Sequence, residues 1–281
     1  MGLYLRPARL GDALEALAAH RLTVLAGGTD HFPSRAVHTP DEDILDLSRL
    51  PGLRGIVRQG ADWWLPGQTT WSDVLAADLP ADFDGLKQAA RQVGGQQIQN
   101  AGTVAGNLCN ASPAADGVPP LLTLQARVVL ASASGEREVP LEAFILGPRA
   151  TSRRADELVL GLRIPATDAP GAASFQKLGA RSYLVISIAM AAAHASFTPD
   201  GRIAAARIAV GACSPVAQRL PLLEAALQGQ WPDPALVQPG YLAPLSPIDD
   251  VRATASYRRA AAMELVRRAV AALQPSAKAA A

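Results

Sequence analysis

Cysteine is almost absent from this chain. Cys109 and Cys213 are the only two in 281 residues, and they form no C-x-x-C pair. That excludes a zinc or dithiol motif, and an iron–sulfur cluster held by four thiolates of this chain alone. Charge of one sign is also lacking: 26 basic against 25 acidic residues leave a formal +1, with no single-signed block. A nucleic-acid or anionic-lipid footprint is therefore not expected. Long apolar runs are missing too. The longest, residues 184–195, is broken by Ser187 and His194 and falls short of the roughly 18 to 20 residues of a membrane span. Near the amino terminus Arg6 and Arg9 are followed at once by Asp12 and Glu15, which is not the pattern of a secretory signal, so a cytoplasmic location is expected. His20, His31, His38 and His194 show no metal-ligand spacing, and no metal site is expected.

What is present defines a globular chain. Hydrophobic residues make up 49% and charged residues 18%, enough apolar surface for a core and too little net charge for disorder. Aromatics are only 5%, so packing rests on Ala, Leu and Val. The length calls for two packed lobes, or three.

Hydrophobic spacing predicts a helix over 12–22, strands over 22–26 and 44–47, and a hairpin of 53–57 with 63–65. It predicts helices over 70–79 and 83–93, and strands over 126–131 and 157–164. Between 94 and 120 the periodicity disappears into a long Gly, Asn, Gln and Ser segment, which reads as a functional loop. Residues 167–171 stack turn formers and mark a lobe boundary. Beyond them, 174–178, 185–197 and 202–212 form a three-stranded antiparallel meander, followed by helices over 216–227, 234–242 and 252–273. In the last helix Met263, Val266, Val270 and Leu273 make one apolar stripe, and its arginines 252, 258, 259, 267 and 268 read as a solvated outer face. Residues 276–281 read as a frayed tail.

Two segments carry ligand chemistry. Ala26-Gly27-Gly28-Thr29-Asp30 follows a buried strand. Its glycines let the backbone turn and present unobstructed N–H groups, which suits a pyrophosphate; a capped tight turn is the plain alternative. It matches neither G-x-G-x-x-G nor a Walker motif. The second runs from Gln97 to Asp116 as QIQNAGTVAGNLCNASPAAD. It concentrates amides, hydroxyls and small residues able to wrap a polar, extended ligand; a long surface loop is its plain alternative. Asp116 either caps the following helix or accepts from a ribose. Cys109 reads as a small buried residue and Tyr183 as a core tyrosine.

The pairing of these two segments, together with DELVLGLRIP at 156–165, FQKLGAR at 175–181 and DDVRATASYRR at 249–259, resembles the FAD-binding medium subunit of the molybdenum hydroxylases. These are enzymes of the carbon monoxide dehydrogenase and xanthine dehydrogenase type, and the resemblance spans nearly the whole chain. It implies an α+β fold: a vanillyl-alcohol-oxidase-like FAD-binding lobe over 1–167, with subdomains of about 1–55 and 56–167, then a sheet-and-helix lobe over 168–275. It implies cofactor contacts from Val24, Leu25, Ala26, Gly27, Gly28, Thr29, Asp30 and His31 in the first loop. From the second it implies Thr103, Val104, Ala105, Gly106 and Asn107, and beyond the loops Asp116, Val159 and Lys177, the last near the flavin ring. Val93 and Asn110 fall at further contact positions. Ala105 stands where the family has the first glycine of a pair, Gln99 where it commonly has arginine, and His31 where it more often has an apolar residue.

The implied function is electron transfer. A small subunit with two [2Fe–2S] clusters and a large subunit with the molybdenum cofactor would pass electrons to FAD in this chain and on to an external acceptor, the assembly being a dimer of heterotrimers. The competing readings are a stand-alone flavoenzyme of the UDP-N-acetylenolpyruvylglucosamine reductase type and a flavin-free interaction subunit of the same fold.

Overall fold

The computed structural model describes residues 2–35, 41–167 and 171–274. His38, the middle of the expected boundary and the tail lie outside them. The chain opens with β1 (Tyr4–Leu5), α1 (Leu10–Ala19), β2 (Thr23–Leu25) and β3 (Ile44–Asp46). β1 and β2 flank β3 in a small parallel sheet. Ala13 and Leu17 on one face of α1 meet Leu22 and Leu45, and this cluster seals against Val129, Ala131, Leu158 and Leu160 of the next sheet.

That sheet is antiparallel and five-stranded, in the order β4-β5-β10-β6-β7. Its strands are β4 (Val57–Gln59), β5 (Asp62–Pro66), β6 (Arg127–Ser132), β7 (Gly135–Pro140) and β10 (Leu158–Pro165). β4 and β5 form a hairpin that turns at Gly60 with φ of 61°, as expected, but its first strand is 57–59 in place of the expected 53–57. α2 (Trp71–Ala76) opens on a capping box, in which Thr70 Oγ1 accepts from the Asp73 amide and the Asp73 carboxylate from the Thr70 amide. α3 (Asp84–Gln92) follows.

The segment 94–120 is not the structureless loop expected from its lost periodicity. It folds into α4 (Gln96–Ala101), α5 (Val104–Asn110) and the start of α6 (Val118–Thr123). These helices are too short to display a hydrophobic period, and each is started by a local device: Gly95, the Thr103 side chain on the Gly106 amide, and prolines in the first turn of α6. α7 (Leu141–Phe144) then leads into a hairpin of β8 (Ile145–Gly147) and β9 (Ala150–Thr151).

The second lobe is the expected meander with one addition. β11 (Gly171–Leu178), β12 (Ala189–Phe197) and β13 (Ile203–Gly211) pair antiparallel, and a two-residue edge strand, β14 (Gln218–Arg219), makes a fourth. α8 (Pro221–Leu227) and α9 (Ala255–Ala271) cover the sheet, while 234–242 forms two short 3₁₀ turns in place of the expected helix. β12 explains how a chain so poor in aromatics packs. Ala189, Ala191, Ala193 and Ala195 face the second-lobe core with Val266 and Val270 of α9, whereas Met190 and Ala192 face Ala89 of α3. Small side chains on both faces let helices approach the strand closely, and the even-numbered face joins the lobes.

α9 departs from a solvated basic face: Arg259 and Arg267 donate to the backbone carbonyls of Leu242, Leu245 and Val237, and Arg258 is fully internal. Arg258 is 3% exposed, and its guanidinium donates to the Ile188 and Ala212 carbonyls and to Asp250. Arginine thus ties the strand ends to the segment preceding α9.

A second buried polar cluster joins the lobes. Arg207 Nη2 lies 3.1 Å from His194 Nδ1, and His194 Nε2 lies 2.8 Å from Asp82 Oδ1. Arginine can only donate, so Nδ1 accepts, and the neutral ring carries its proton on Nε2 toward the carboxylate. Burial pushes the His194 pKa below its ordinary value, with the Asp82 hydrogen bond only partly opposing it. Burial acts to raise Asp82, but the His194 hydrogen bond and charge, with Thr167 and Gly171, outweigh it and hold the carboxyl low. Both groups therefore bind protons more readily when unfolded, and their contribution is lost as pH falls. We expect stability to be full above about pH 6.5 and to decline by up to about 1.4 kcal/mol per pH unit below it. Thermal melts of the wild type and His194→Gln from pH 8 to 5 check this, since the variant should show a flatter profile below about pH 6.5.

Candidate functional site

The glycine-bearing bends that sequence separates by some seventy residues meet in space. A Cβ built on Gly27 would lie 1.8 Å from the Ala101 carbonyl oxygen, and one on Gly102 would lie 3.2 Å from Thr29 Oγ1. β2 delivers the first bend and α4 the second, so backbone touches backbone where any side chain would intrude. Gly28 turns with φ of 67°, in the left-handed region that favours glycine. The two bends form one wall of a cleft of about 890 Å³ between the lobes, a volume suited to an extended, nucleotide-sized ligand.

The wall is rich in unspent hydrogen-bonding capacity. The amides of Gly27, Gly28, Thr29 and Asp30 donate to no acceptor among the described residues. Asn107 Oδ1 is buried without a partner, which is costly unless a ligand or water supplies a donor. Ala105 sits in the first turn of α5, 5% exposed, with its methyl in the main core. It is not among the positive-φ residues, so the alanine departure from the family pattern displaces nothing. Gln99 turns away from the cleft and donates to the Arg91 and Val93 carbonyls.

Val24, Leu25, Val93, Asn110 and Val159 line the cleft as well, as do Ala26, His31, Thr103, Gly106 and Asp116. Val104, whose amide donates to the Thr69 carbonyl, is 1% exposed and lies behind the wall. Lys177 does not reach the cleft either. Its Nζ is 2.5 Å from Asp116 Oδ2 and 3.3 Å from the Gln92 carbonyl, and Ser187 donates to Asp116 Oδ1 at 2.5 Å. Burial pushes the Asp116 pKa up, against the opposing charge and hydrogen bond of Lys177 and the Ser187 hydroxyl. The lysine and the aspartate, expected to face a ligand separately, are spent mainly on each other. His31 likewise faces Glu42 at 3.4 Å.

Two other expectations fail. Cys109 is exposed at the cleft wall, because position 109 falls on the outer side of the short α5. Tyr183 is 55% exposed; it stands against Gly95, in a stretch whose neighbours Leu184, Val185 and Ile186 line the cleft from the second lobe. Sequence reading also missed a third wall, where Arg149, Thr151 and Arg153 enter from the β8–β9 hairpin and beyond. Arg149, at φ of 59°, binds Asp30 and Asn110 together. A two-residue strand carries no pattern to read.

The architecture is thus a parallel three-stranded unit and a five-stranded antiparallel sheet carrying a glycine-walled cleft that faces a second sheet-and-helix lobe. The chain belongs to the family of molybdopterin-dehydrogenase FAD-binding subunits: the profile of the FAD binding domain in molybdopterin dehydrogenase matches residues 1–167. That of the CO dehydrogenase flavoprotein C-terminal domain matches 174–273. The nicotine 6-hydroxylase medium subunit of Paenarthrobacter nicotinovorans is 29% identical over 95% of both chains. A xanthine dehydrogenase FAD-binding subunit of Escherichia coli O157:H7 is 31% identical over 75% of this chain and 74% of its own. Among solved structures, carbon monoxide dehydrogenase from Hydrogenophaga pseudoflava superposes with a TM-score of 0.90 at 28% identity, covering 96% of each chain. The chain is thus a flavoprotein subunit of an oxidoreductase. Among the described residues no helix is long and apolar enough to cross a membrane.

Proposed function

We propose that this chain is the electron-transfer subunit of a cytoplasmic molybdenum-containing hydroxylase, taking electrons from [2Fe–2S] clusters of a small partner subunit and passing them to an external acceptor. The large partner would carry the molybdenum cofactor, in a dimer of heterotrimers. The observation that carries the reading is the meeting of Gly27 with Ala101, which sets two rows of small residues and free amides on one cleft wall. The FAD-binding lobe is 1–167, of the vanillyl-alcohol-oxidase type with subdomains 1–55 and 56–167, and the second lobe is 168–275.

The cleft residues fit the cofactor. The amides of 27–30 suit a diphosphate. The orphaned Asn107 Oδ1 suits a hydroxyl or amine donor of the ligand. Val24, Leu25 and Val159 supply apolar wall beside the loops. Asp116, fixed by Lys177 and Ser187, presents a rigid acceptor edge at the cleft. Lys177 acts through Asp116 and holds positive charge just behind the wall. Bound FAD supplies the redox chemistry, accepting electrons singly and releasing them in pairs. The chain's own part is to hold, orient and shield that group. Asp116, engaged on both oxygens, is not free to serve as the proton donor that a reductase substrate would need.

The purified chain is expected to show flavin bands at about 450 nm with about one FAD per chain. It should copurify with two larger-complex partners and oxidise no hydroxylase substrate by itself, while dithionite-reduced partners bleach its flavin. A colourless chain, or substrate turnover by the isolated chain, refutes the reading.

A further inference from the structure

The two loops of the cleft bring hydrogen-bond donors but no positive charge, and they add the Asp30 carboxylate, whose side chain is 55% exposed. A diphosphate carries about two negative charges. The cations on the cleft wall are Arg35, Arg149 and Arg153. Arg35 is spent on Glu42, bonding both carboxylate oxygens through Nε and Nη2. Arg153 donates to the carbonyls of Arg154 and Glu157. Lys177 is held behind the wall by Asp116. Gln99, where the family commonly has arginine, faces away.

Arg149 differs from Arg35 and Arg153 in what it touches, since it is bonded to both ligand segments. Like Arg153 it uses Nη1 alone, on Asp30 Oδ2 at 2.9 Å and on the carbonyl and side-chain oxygens of Asn110. Among the described residues Nε and Nη2 have no acceptor, and the side chain is 59% exposed. Its placement is nonetheless fixed. The Arg149 amide donates to the Ala111 carbonyl at 2.9 Å, and a left-handed φ of 59° is adopted by a non-glycine residue only where surroundings hold it. The hairpin thus leans on the carboxyl end of α5 and carries one guanidinium to both loops at once.

We propose that Arg149 is the cation that binds the cofactor's diphosphate, supplied by a third chain segment outside either glycine loop. Its ion pair with Asp30 masks a carboxylate that would otherwise repel the anion. The assignment depends on the FAD-binding reading above. An exposed ion pair by itself contributes little to stability, so a mere clasp and an anion anchor differ in what they change.

The test uses the full-length chain stripped of flavin, titrated with FAD and with riboflavin, which has the ring and no phosphate. ADP serves as a competitor carrying the diphosphate without the ring. Arg149→Met is expected to weaken FAD binding roughly 10- to 100-fold and to weaken ADP in parallel. Riboflavin affinity and the melting temperature of the ligand-free chain should stay unchanged. Arg149→Lys should recover part of the loss, and Asp30→Asn should bind FAD as tightly as the wild type or more tightly. Equal losses for FAD and riboflavin, or an Asp30→Asn variant as weak as Arg149→Met, overturn the proposal and leave Arg149 a structural clasp. A wild type that binds riboflavin as tightly as FAD overturns it too, while leaving flavin binding intact. A wild type that binds neither refutes the FAD reading itself.

Discussion

Replacing Gly27 by valine is expected to abolish FAD retention while the chain stays folded. A Cβ at this position would stand 1.8 Å from the Ala101 oxygen, 2.6 Å from its carbon and 3.1 Å from the Gly102 Cα. All three are backbone atoms, so no side-chain rotation relieves the contact. The first bend must move away from α4, and the amides of 27–30 leave their common wall. Such overpacking costs typically about 1–3 kcal/mol. The three-stranded unit can bear this, because its core is centred on Ala13, Leu17, Leu22 and Leu45 and the bend meets it at Ala26. Gly28 makes an informative contrast. Its Cβ would meet the Phe32 ring at 2.6 Å, but Phe32 is 62% exposed and free to swing away. What remains at Gly28 is the left-handed φ, a cost of about 1–2 kcal/mol for an L-residue. Gly28→Ala should therefore weaken FAD binding moderately, and Gly27→Val should leave the protein colourless. The ratio of flavin to protein absorbance after purification, with a circular dichroism melt, reads both effects. Retention of a full complement of FAD in the Gly27 variant contradicts the cleft assignment.

The contrast between Gly27 and Gly28 also shows what a sequence can and cannot carry. Adjacent glycines after a buried strand announce a bend with close backbone approach, and the structure has one. Which backbone approaches, and at which of the two residues, depends on α4, a helix too short to show a period. The meander from β11 to β13 was legible because its strands are eight or nine residues long and the turn formers Thr198-Pro199-Asp200-Gly201 separate the last two. β7 was not: GEREVP has a single buried position, Val139, and reads as a polar connector until β6 pairs with it. Arg258 looks like any helix-surface arginine, and only the carbonyls of Ile188 and Ala212, far off in the chain, show that it is internal. Within the cleft, residues beside the loops follow from local motifs. The pairing of Lys177 with Asp116, 61 positions apart, and the arrival of Arg149 follow only from the tertiary arrangement.

That pairing makes Lys177→Met the second variant with a large expected effect. The lysine and aspartate side chains are 5% and 9% exposed, so the pair is desolvated, and the loss of one member strands the other. Removing one partner of such a pair costs about 3–5 kcal/mol. Three connections fail together: β11 loses the end of α3 at the Gln92 carbonyl, Asp116 loses its counter-charge, and Ser187 is left as the sole donor to that carboxylate. Burial already pushes the Asp116 pKa up, and without the ammonium it rises further. A carboxyl whose folded pKa exceeds its unfolded value takes up protons more readily in the native state. The deficit is therefore greatest at neutral pH and shrinks as pH falls toward the ordinary carboxylate range of about 4. Asp116→Asn strands the ammonium instead, and acidification brings it no such recovery. The double variant Lys177→Met with Asp116→Leu removes both charges and should regain most of the stability, since an apolar pair of similar size often replaces a buried ion pair without loss. Denaturant titrations of the flavin-free chain between pH 8 and 4 distinguish the three. A Lys177→Met variant as stable as the wild type at pH 7, or one whose deficit does not change with pH, shows that the pair is not the buried junction its geometry describes.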